Sequence, residues 1–267
     1  MTPPAAGDPP GQPSGGGVMN VAVLIPAYQA ASHLGNVLLG LSALVPPPHV
    51  LVVDDGSRDA TSEVARTFGA QVHAFAGNRG KGHALLEGFR RLGDFDGVVT
   101  LDADGQHPPE CVPEFVAAAE RAGADLVLGR RARTPDMPAS RRFANAFSSG
   151  WATRLAGQRV SDSQCGFRLY GRALLRHTPV TPGRYEVETE IVIRAARLGF
   201  RLTEVEIPTV YHEAKSHIRA FQDVPRIVGT LGRLSIEGVF PPRVMRDARA
   251  IRSAAGDSNG RHPENAA

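Results

Sequence analysis

The sequence predicts an α/β fold built on a mostly parallel sheet with helices on both faces. Three observations carry this. Short apolar runs rich in β-branched residues alternate with segments of helical length between Val21 and Leu128. The runs are apolar throughout rather than at every second residue, as strands buried on both faces are. Each run ends in a polar or glycine-containing turn, which strand–helix units require.

The elements follow in order. Val21–Ile25 reads as the first strand, with a helix over 31–44. Val50–Val53 is the second, followed by a helix over 58–69 that Ser57 or Asp59 caps after a turn at Gly56. Gln71–Phe75 is the third, with a helix over 80–92. Val98–Leu101 is the fourth, with a helix over 109–122 whose first turn suits Pro108 and Pro109. Leu126–Leu128 is the fifth strand. Farther along, Glu186 begins a helix that runs to about Leu198 and stops at Gly199. Residues 219–240 read as an amphipathic helix: Phe221, Val224, Ile227, Val228, Leu231 and Leu234 recur at three- and four-residue steps. Arg219, Arg226 and Arg233 share another face; the helix reads either as packed on the domain or as docked on an anionic membrane surface. Pro225 fits this helix only in its first turn.

Composition bounds the rest. A chain of 267 residues suits one large domain or two small ones. With 42% hydrophobic and 21% charged residues it is not disordered as a whole. Residues 1–17, with five prolines and five glycines, and residues 251–267 read as disordered tails. They flank a domain over 18–218 and a helical segment over 219–250. Cys111 and Cys165 are too few for a disulfide scaffold or a four-cysteine zinc site, and suit a reducing cytoplasm. No basic leader and no run of about 18 apolar residues is present, so the expectation is a cytoplasmic protein, soluble or peripheral on the inner face of the cell membrane. A formal charge of +3 demands no nucleic-acid partner. Of 30 basic residues only Lys81 and Lys215 are lysine. A GC-rich genome explains that bias, and it singles out the two lysines.

Ligands of such sheets sit beyond the C-terminal strand ends. There the chain carries Pro26-Ala27-Tyr28, Asp54-Asp55-Gly56-Ser57, Asp102-Ala103-Asp104-Gly105-Gln106-His107 and Gly129-Arg130-Arg131. Asp102 and Asp104 point the same way in extended geometry and, with Gln106 next, supply oxygen ligands for a hard divalent ion. Such an ion would neutralise a departing diphosphate. Asp residues also serve plain turns. A carboxylate at Asp54 or Asp55 accepts a base imide N–H or a ribose hydroxyl, and sequence does not separate the two. Asn78-Arg79-Gly80-Lys81-Gly82 opens a helix whose N–H groups and lysine can hold an anion. Between Gly129 and Val160 stand seven arginines and one aspartate. Arg130, Arg131 and Arg133 follow a strand end and suit phosphate recognition better than Arg154 or Arg159.

The runs Leu24-Ile25-Pro26-Ala27-Tyr28, Val52-Val53-Asp54-Asp55-Gly56-Ser57, Asn78-x-Gly80-Lys81-Gly82-x-Ala84-Leu85 and Asp102-Ala103-Asp104-Gly105-Gln106-His107-x-Pro109 occur in this order. Together they resemble family 2 glycosyltransferases, in particular the dolichyl- or polyprenyl-phosphate sugar transferases. The resemblance implies a glycosyltransferase A (Rossmann-like, nucleotide-binding) fold, a nucleotide-sugar donor, Mg²⁺ or Mn²⁺, and inversion at the anomeric carbon. It implies that Pro26, Ala27, Tyr28, Val53 and Asp55 contact the nucleoside. Asp102, Ala103, Asp104 and Gln106 would hold the metal and the donor diphosphate. The family continues Pro-x-Tyr-Asn-Glu, whereas this chain reads Pro26-Ala27-Tyr28-Gln29-Ala30. The acidic contact is absent at Ala30, which leaves the nucleotide open.

Asp162-Ser163-Gln164-Cys165-Gly166-Phe167-Arg168 resembles the family's Asp-x-x-x-Gly-Phe-Arg segment. That places Asp162 near the acceptor and Arg168 near phosphate, with Arg131 joining them. Cys165 reads as a small buried residue rather than a nucleophile. Glu186-Val187-Glu188-Thr189-Glu190 suits a helix N-terminus, and the family carries a similar glutamate-rich turn, so one of these glutamates is a candidate. Lys215-Ser216-His217-Ile218 resembles a segment that reaches over the donor diphosphate. Lys215 is its phosphate contact, and His217 is alternatively a metal ligand.

The expected reaction is metal-dependent, inverting transfer of a sugar from a GDP-mannose- or UDP-glucose-type donor to a polyprenyl phosphate. Asp104, Asp162 and Arg131 would be the catalytic residues. The alternatives are the same donor with a soluble sugar or phosphorylated acceptor, and a noncatalytic nucleotide-sugar binding module.

Overall fold

The computed structural model describes residues 19–131, 139–180, 186–208, 220–239 and 245–249. Along them run β1 (Val21–Ala27), α1 (Ala31–Leu41), β2 (Val50–Asp54), α2 (Thr61–Thr67), β3 (Gln71–Ala74), α3 (Lys81–Arg91), β4 (Gly97–Thr100), α4 (Val112–Ala122) and β5 (Leu126–Arg131). They continue with α5 (Ala139–Ala156), β6 (Arg168–Gly171), α6 (Arg172–His177), α7 (Glu186–Arg197), β7 (Leu202–Ile207) and α8 (Ala220–Val239).

The seven strands form one sheet in the order β3-β2-β1-β4-β6-β5-β7. Every pairing is parallel except those of β6, which runs antiparallel between β4 and β5. Strand period explains the two cores. Ala22, Leu24, Val98, Leu126 and Tyr170 face α3, α5, α7 and α8. Val23, Ile25, Val99, Val127 and Leu169 face α1 and α4. Both faces are covered, so the strands read as continuous apolar runs.

The order reverses between β1, whose chain proceeds outward to β2, and β4 on its other side. That switch point opens a crevice beyond the strand ends, with β1 and β4 as its floor. Residues after β1, β2, β4 and β5 therefore converge on one edge.

Three elements depart from the sequence reading. β6 and β7 were not anticipated, and α5 lies where only an arginine-rich stretch was noted. The C-terminal helix is present as α8, but Arg233 is not spread on an open cationic face. It donates to Glu190 Oε2 at 2.7 Å and to Glu237 Oε1 at 2.9 Å. Arg194 closes the ring through Glu190 at 2.6 Å and Glu237 at 2.9 Å. Two cations and two carboxylates thus tie α7 to α8. Among the described residues no helix is long and apolar enough to cross a membrane.

Candidate active site

Asp54 and Asp55, adjacent at the end of β2, point to different tasks. Asp54 accepts the N–H of Ser57 at 2.9 Å and the hydroxyl of Ser62, so it shapes its own turn. Asp55 reaches across to the next loop and accepts the N–H groups of Arg79 at 2.6 Å and Gly80 at 2.7 Å. The loop at 78–82 does hold an anion on its backbone, and that anion is the protein's own carboxylate. Gly80 has φ +98° and ψ 151°, a conformation that side chains forbid, and this frees its N–H to face Asp55. The result sets Lys81 as the first residue of α3.

Lys81 is the hub. Its ammonium lies 2.7 Å from Asp102 Oδ1 and 3.1 Å from Glu188 Oε2. Burial alone would lower its pKa, but the two carboxylates win and raise it, so Lys81 stays charged. Asp102 follows β4. Burial pushes its carboxyl up, and Lys81 overrides that and holds it below the usual range. Ala103 turns into the core, so Asp102 and Asp104 flank it on the outer side. Asp104 is in the opposite state: burial and the neighbouring Asp102 charge raise its carboxyl, although the Gln106 N–H donates to it at 3.0 Å.

The remaining walls come from the second half of the chain. Arg131, the last residue of β5, makes a two-point contact with Asp162, at 2.7 and 3.0 Å. Burial raises the Asp162 carboxyl less than Arg131 lowers it, so it sits below its ordinary range. Gly166 lies against the lysine pair. A Cβ there would meet Asp102 Oδ2 at 2.5 Å and Lys81 Nζ at 2.8 Å. His107 is buried, with Nε2 3.9 Å from Cys165 Sγ. Burial outweighs the attraction of Asp102 and lowers its pKa, which keeps the ring neutral.

Several expected roles change. Arg168 is 0% exposed, and its guanidinium donates to the carbonyls of Cys165, Glu188 and Ser163 at 2.7, 2.7 and 2.8 Å. It offers nothing to an acceptor phosphate. It instead pins the 162–168 segment to α7. The Val53 side chain is 0% exposed in the core beneath the crevice, closed to a nucleoside. Arg130 points to the sheet face opposite Arg131 and pairs with Glu206 on β7. It does not converge with Arg131 on a phosphate. Pro26 and Ala27 are buried at the end of β1, and Tyr28 is exposed above them. Gln106 contributes its backbone to Asp104, as described. Lys215, His217, Arg133 and Arg219 lie outside the described residues, as does the side chain of Arg226.

Sequence reasoning left one residue unresolved among three glutamates: Glu188, which meets Lys81. It is the third residue of α7, and sequence alone did not fix which face of that helix it occupies.

The site suits a divalent cation. Among the described residues Lys81 is the one lysine here and pairs with Asp102 and Glu188, Asp104 stands beside Asp102, and Arg131 and Asp162 cancel. Among the described residues no three histidine, cysteine, aspartate or glutamate side chains gather into a complete metal cage. The two aspartates would hold such an ion from one side only, leaving its other positions to a ligand.

Comparison with known proteins agrees with this geometry. The model of glycosyl transferase family 2 matches residues 22–181. An undecaprenyl-phosphate mannosyltransferase of Micrococcus luteus is 34% identical over 210 residues, covering 73% of this chain and 85% of its own. A polyprenol monophosphomannose synthase of Mycolicibacterium smegmatis is 31% identical over 201 residues, 69% of this chain and 75% of its own. Among solved structures, glucosyl-3-phosphoglycerate synthase of Mycobacterium tuberculosis in complex with uridine diphosphate superposes with a TM-score of 0.64 at 26% identity. It covers 81% of this chain and 80% of its own. With the family model spanning more than half of its length, the chain belongs to glycosyl transferase family 2, and it is a glycosyltransferase.

Proposed function

We propose that this glycosyltransferase moves a sugar, with inversion, from a nucleotide diphosphate sugar of the GDP-mannose or UDP-glucose type to a polyprenyl phosphate. The observation that carries the reading is the Arg131–Asp162 pair. An aspartate held below its ordinary pKa by a two-point arginine contact is a poor general base. A sugar hydroxyl acceptor needs a base. A phosphate arrives already ionised at pH 7 and needs only positioning, for which an arginine fork is well shaped. The names of the relatives support the same acceptor class.

In this reading the nucleoside lies over Pro26, Ala27, Tyr28 and Asp55, and Asp102 and Asp104, with Gln106 beside them, hold Mg²⁺ or Mn²⁺. Such an ion supplies charge neutralisation to the departing diphosphate. Lys81 adds positive charge beside it. Arg131 turns from Asp162 toward the acceptor phosphate, and Asp162 keeps the guanidinium oriented until then. Lys215 is a secondary phosphate contact. A lipid acceptor places the domain 18–218 at a membrane surface, on the cytoplasmic face, with 219–250 as the adjoining segment.

The test has two stages. Thermal melting against UDP- and GDP-sugars, each with Mn²⁺ and with EDTA, identifies the donor. Saturation at about 100 times Kd adds roughly 2.7 kcal/mol, a shift of several degrees. The matched donor is then offered undecaprenyl phosphate, a free hexose and 3-phosphoglycerate. Transfer to the lipid phosphate supports the reading. Transfer to a soluble acceptor alone overturns the acceptor half, and no metal-dependent shift with any nucleotide overturns the donor half.

A further inference from the structure

A cavity of about 350 Å³ lies at the other end of the sheet from the crevice, where β4 starts and β6 ends. The second half of α3, the turn after it, α6 and α7 form its walls. The lining is mostly apolar, with Leu86 and Phe89 of α3, Phe95 before β4, Leu175 of α6 and Ile191 of α7. α6 is only six residues long and covers the space between α3 and α7 incompletely. Sites for small molecules have this size and character.

The polar part of the lining selects the ligand. Arg90, Arg172 and Arg176 line the cavity, and no acidic residue does among those described. Arg90 is held by Glu87 at 2.8 and 3.0 Å, and Arg172 pairs with Asp96. Arg176 makes no ion pair among the described residues; its one contact is a long donation to the Gly93 carbonyl at 3.3 Å. Thr178 lines the same cavity. It is buried, and its hydroxyl has no hydrogen-bond partner among the described residues. A buried hydroxyl without a partner is costly, and an arginine fork without a carboxylate attracts one. A cationic ligand is repelled here. A phosphate, close to doubly charged at pH 7, exceeds what one unpaired arginine neutralises, whereas a carboxylate matches it.

We propose that this cavity binds a small carboxylate with an apolar body, of the medium-chain fatty acid class, its head at Arg176 and Thr178 and its chain between α3 and α7. The site is separate from the catalytic crevice, and the inference stands independently of the donor and acceptor readings above.

The probe is 8-anilinonaphthalene-1-sulfonate, an apolar dye with one anionic head that fluoresces on apolar protein surface. It is bound to the full-length chain and displaced with decanoate below its micelle-forming concentration. Decanoate should displace it, and decyltrimethylammonium, the same chain with a cationic head, should do so about fivefold less well or not at all. Arg176→Glu alters an exposed side chain and should raise the decanoate Kd about fivefold, an attraction lost and a repulsion gained. Leu175→Trp, which fills the cavity, should abolish decanoate binding; if it fails to fold, Arg176→Glu decides alone. UDP or GDP with Mn²⁺ should leave the dye in place. Absence of decanoate binding, equal displacement by the two head groups, or an unchanged decanoate Kd in Arg176→Glu overturns the inference. Displacement by nucleotide puts the dye in the crevice and overturns it as well. Dye binding that is lost as the chain self-associates at rising concentration assigns the cavity to a second copy of the chain, against the proposal.

Discussion

Arg168 Nη1 donates to the main-chain carbonyl of Glu188 at 2.7 Å, and so a fully buried guanidinium joins the antiparallel strand β6 to the first turn of α7. Two further donors of the same group hold Cys165 and Ser163. The wall carrying Asp162 and the helix carrying Glu188 are therefore set relative to each other by one side chain. Lysine cannot reproduce a planar fork serving three carbonyls. Arg168→Lys should cost about 3 kcal/mol through unpaired buried carbonyls, lowering Tm by about 6–12 °C in a domain of this size. A Tm within about 2 °C of the parent, with acceptor KM raised instead, would return Arg168 to the acceptor site.

Of the two readings of the C-terminal helix, packing on the domain and docking on a membrane, the ring of Arg233 with Glu190, Arg194 and Glu237 assigns Arg233 to packing. Glu190 and Arg194 are buried, whereas Arg233 is 40% exposed in its side chain, so screening reduces its share. Arg233→Glu places a third carboxylate against Glu190 and Glu237. We expect a loss of about 2 kcal/mol, below the full penalty for breaking a buried pair, read from urea midpoints. Binding to anionic vesicles of the folded fraction should be unchanged. Weaker vesicle binding at unchanged stability would restore the membrane role.

Much of this was legible in the sequence, for a physical reason. Buried parallel strands announce themselves as unbroken apolar runs, and the switch-point rule then names the polar residues that follow them. That route points to Asp102, Asp104 and Arg131, and the structure has them at the ends of β4 and β5. Where reading failed, the missing quantity was direction. Val53 and Arg130 sit at the right strand ends, but one faces the core and the other faces away from Arg131, and strand phase is not visible in a run that is apolar on both faces. β6 was missed because it is four residues long and opens on Arg168, a buried charge that the three carbonyls explain. Asp54 and Asp55 were inseparable until the loop at Gly80 was in place.

Gly166 tests the lysine pair without replacing a charged residue. Its Cβ position is occupied by the Asp102 carboxylate and Lys81 Nζ. Gly166→Ala must push these two apart, an overpacking strain of about 1–3 kcal/mol. Donor Kd should rise by about tenfold or more, since 1.4 kcal/mol is a factor of ten. Calorimetry with the matched nucleotide sugar checks this, and an unchanged Kd would show that the pair is incidental to donor binding.

The cysteines supply a pH prediction. Burial pushes the Cys165 thiol up to about 12, with the Asp162 charge adding to it. Cys111 is half-buried, and its thiol is raised by burial and by Glu114 and Glu110. At pH 8 iodoacetamide should label Cys111 slowly and Cys165 only after denaturation. The folded thiol keeps its proton while the unfolded one loses it above about pH 8.5. The stability tied to this group is thus whole below that pH and falls as pH climbs toward 12. Cys165→Ala should flatten that alkaline fall in urea midpoints, and an identical slope would show that the thiol stays ionisable in the fold.

Asp104 separates folding from ligand binding. Its carboxylate is partly withdrawn from water beside Asp102, and among the described residues its one hydrogen-bond donor is the Gln106 N–H. With EDTA present, removing that charge relieves repulsion, so Asp104→Asn should be neutral or stabilising by up to about 1 kcal/mol. With Mn²⁺ and donor the order reverses, because the ligand-dependent rise in Tm of the parent requires both aspartates. Loss of that rise with no loss of stability in EDTA is the expected pair of results, measured by melting under the two conditions. Destabilisation in EDTA would mean that Asp104 works as a turn residue through its Gln106 contact, and a retained Mn²⁺-dependent rise would move the metal away from the β4 edge.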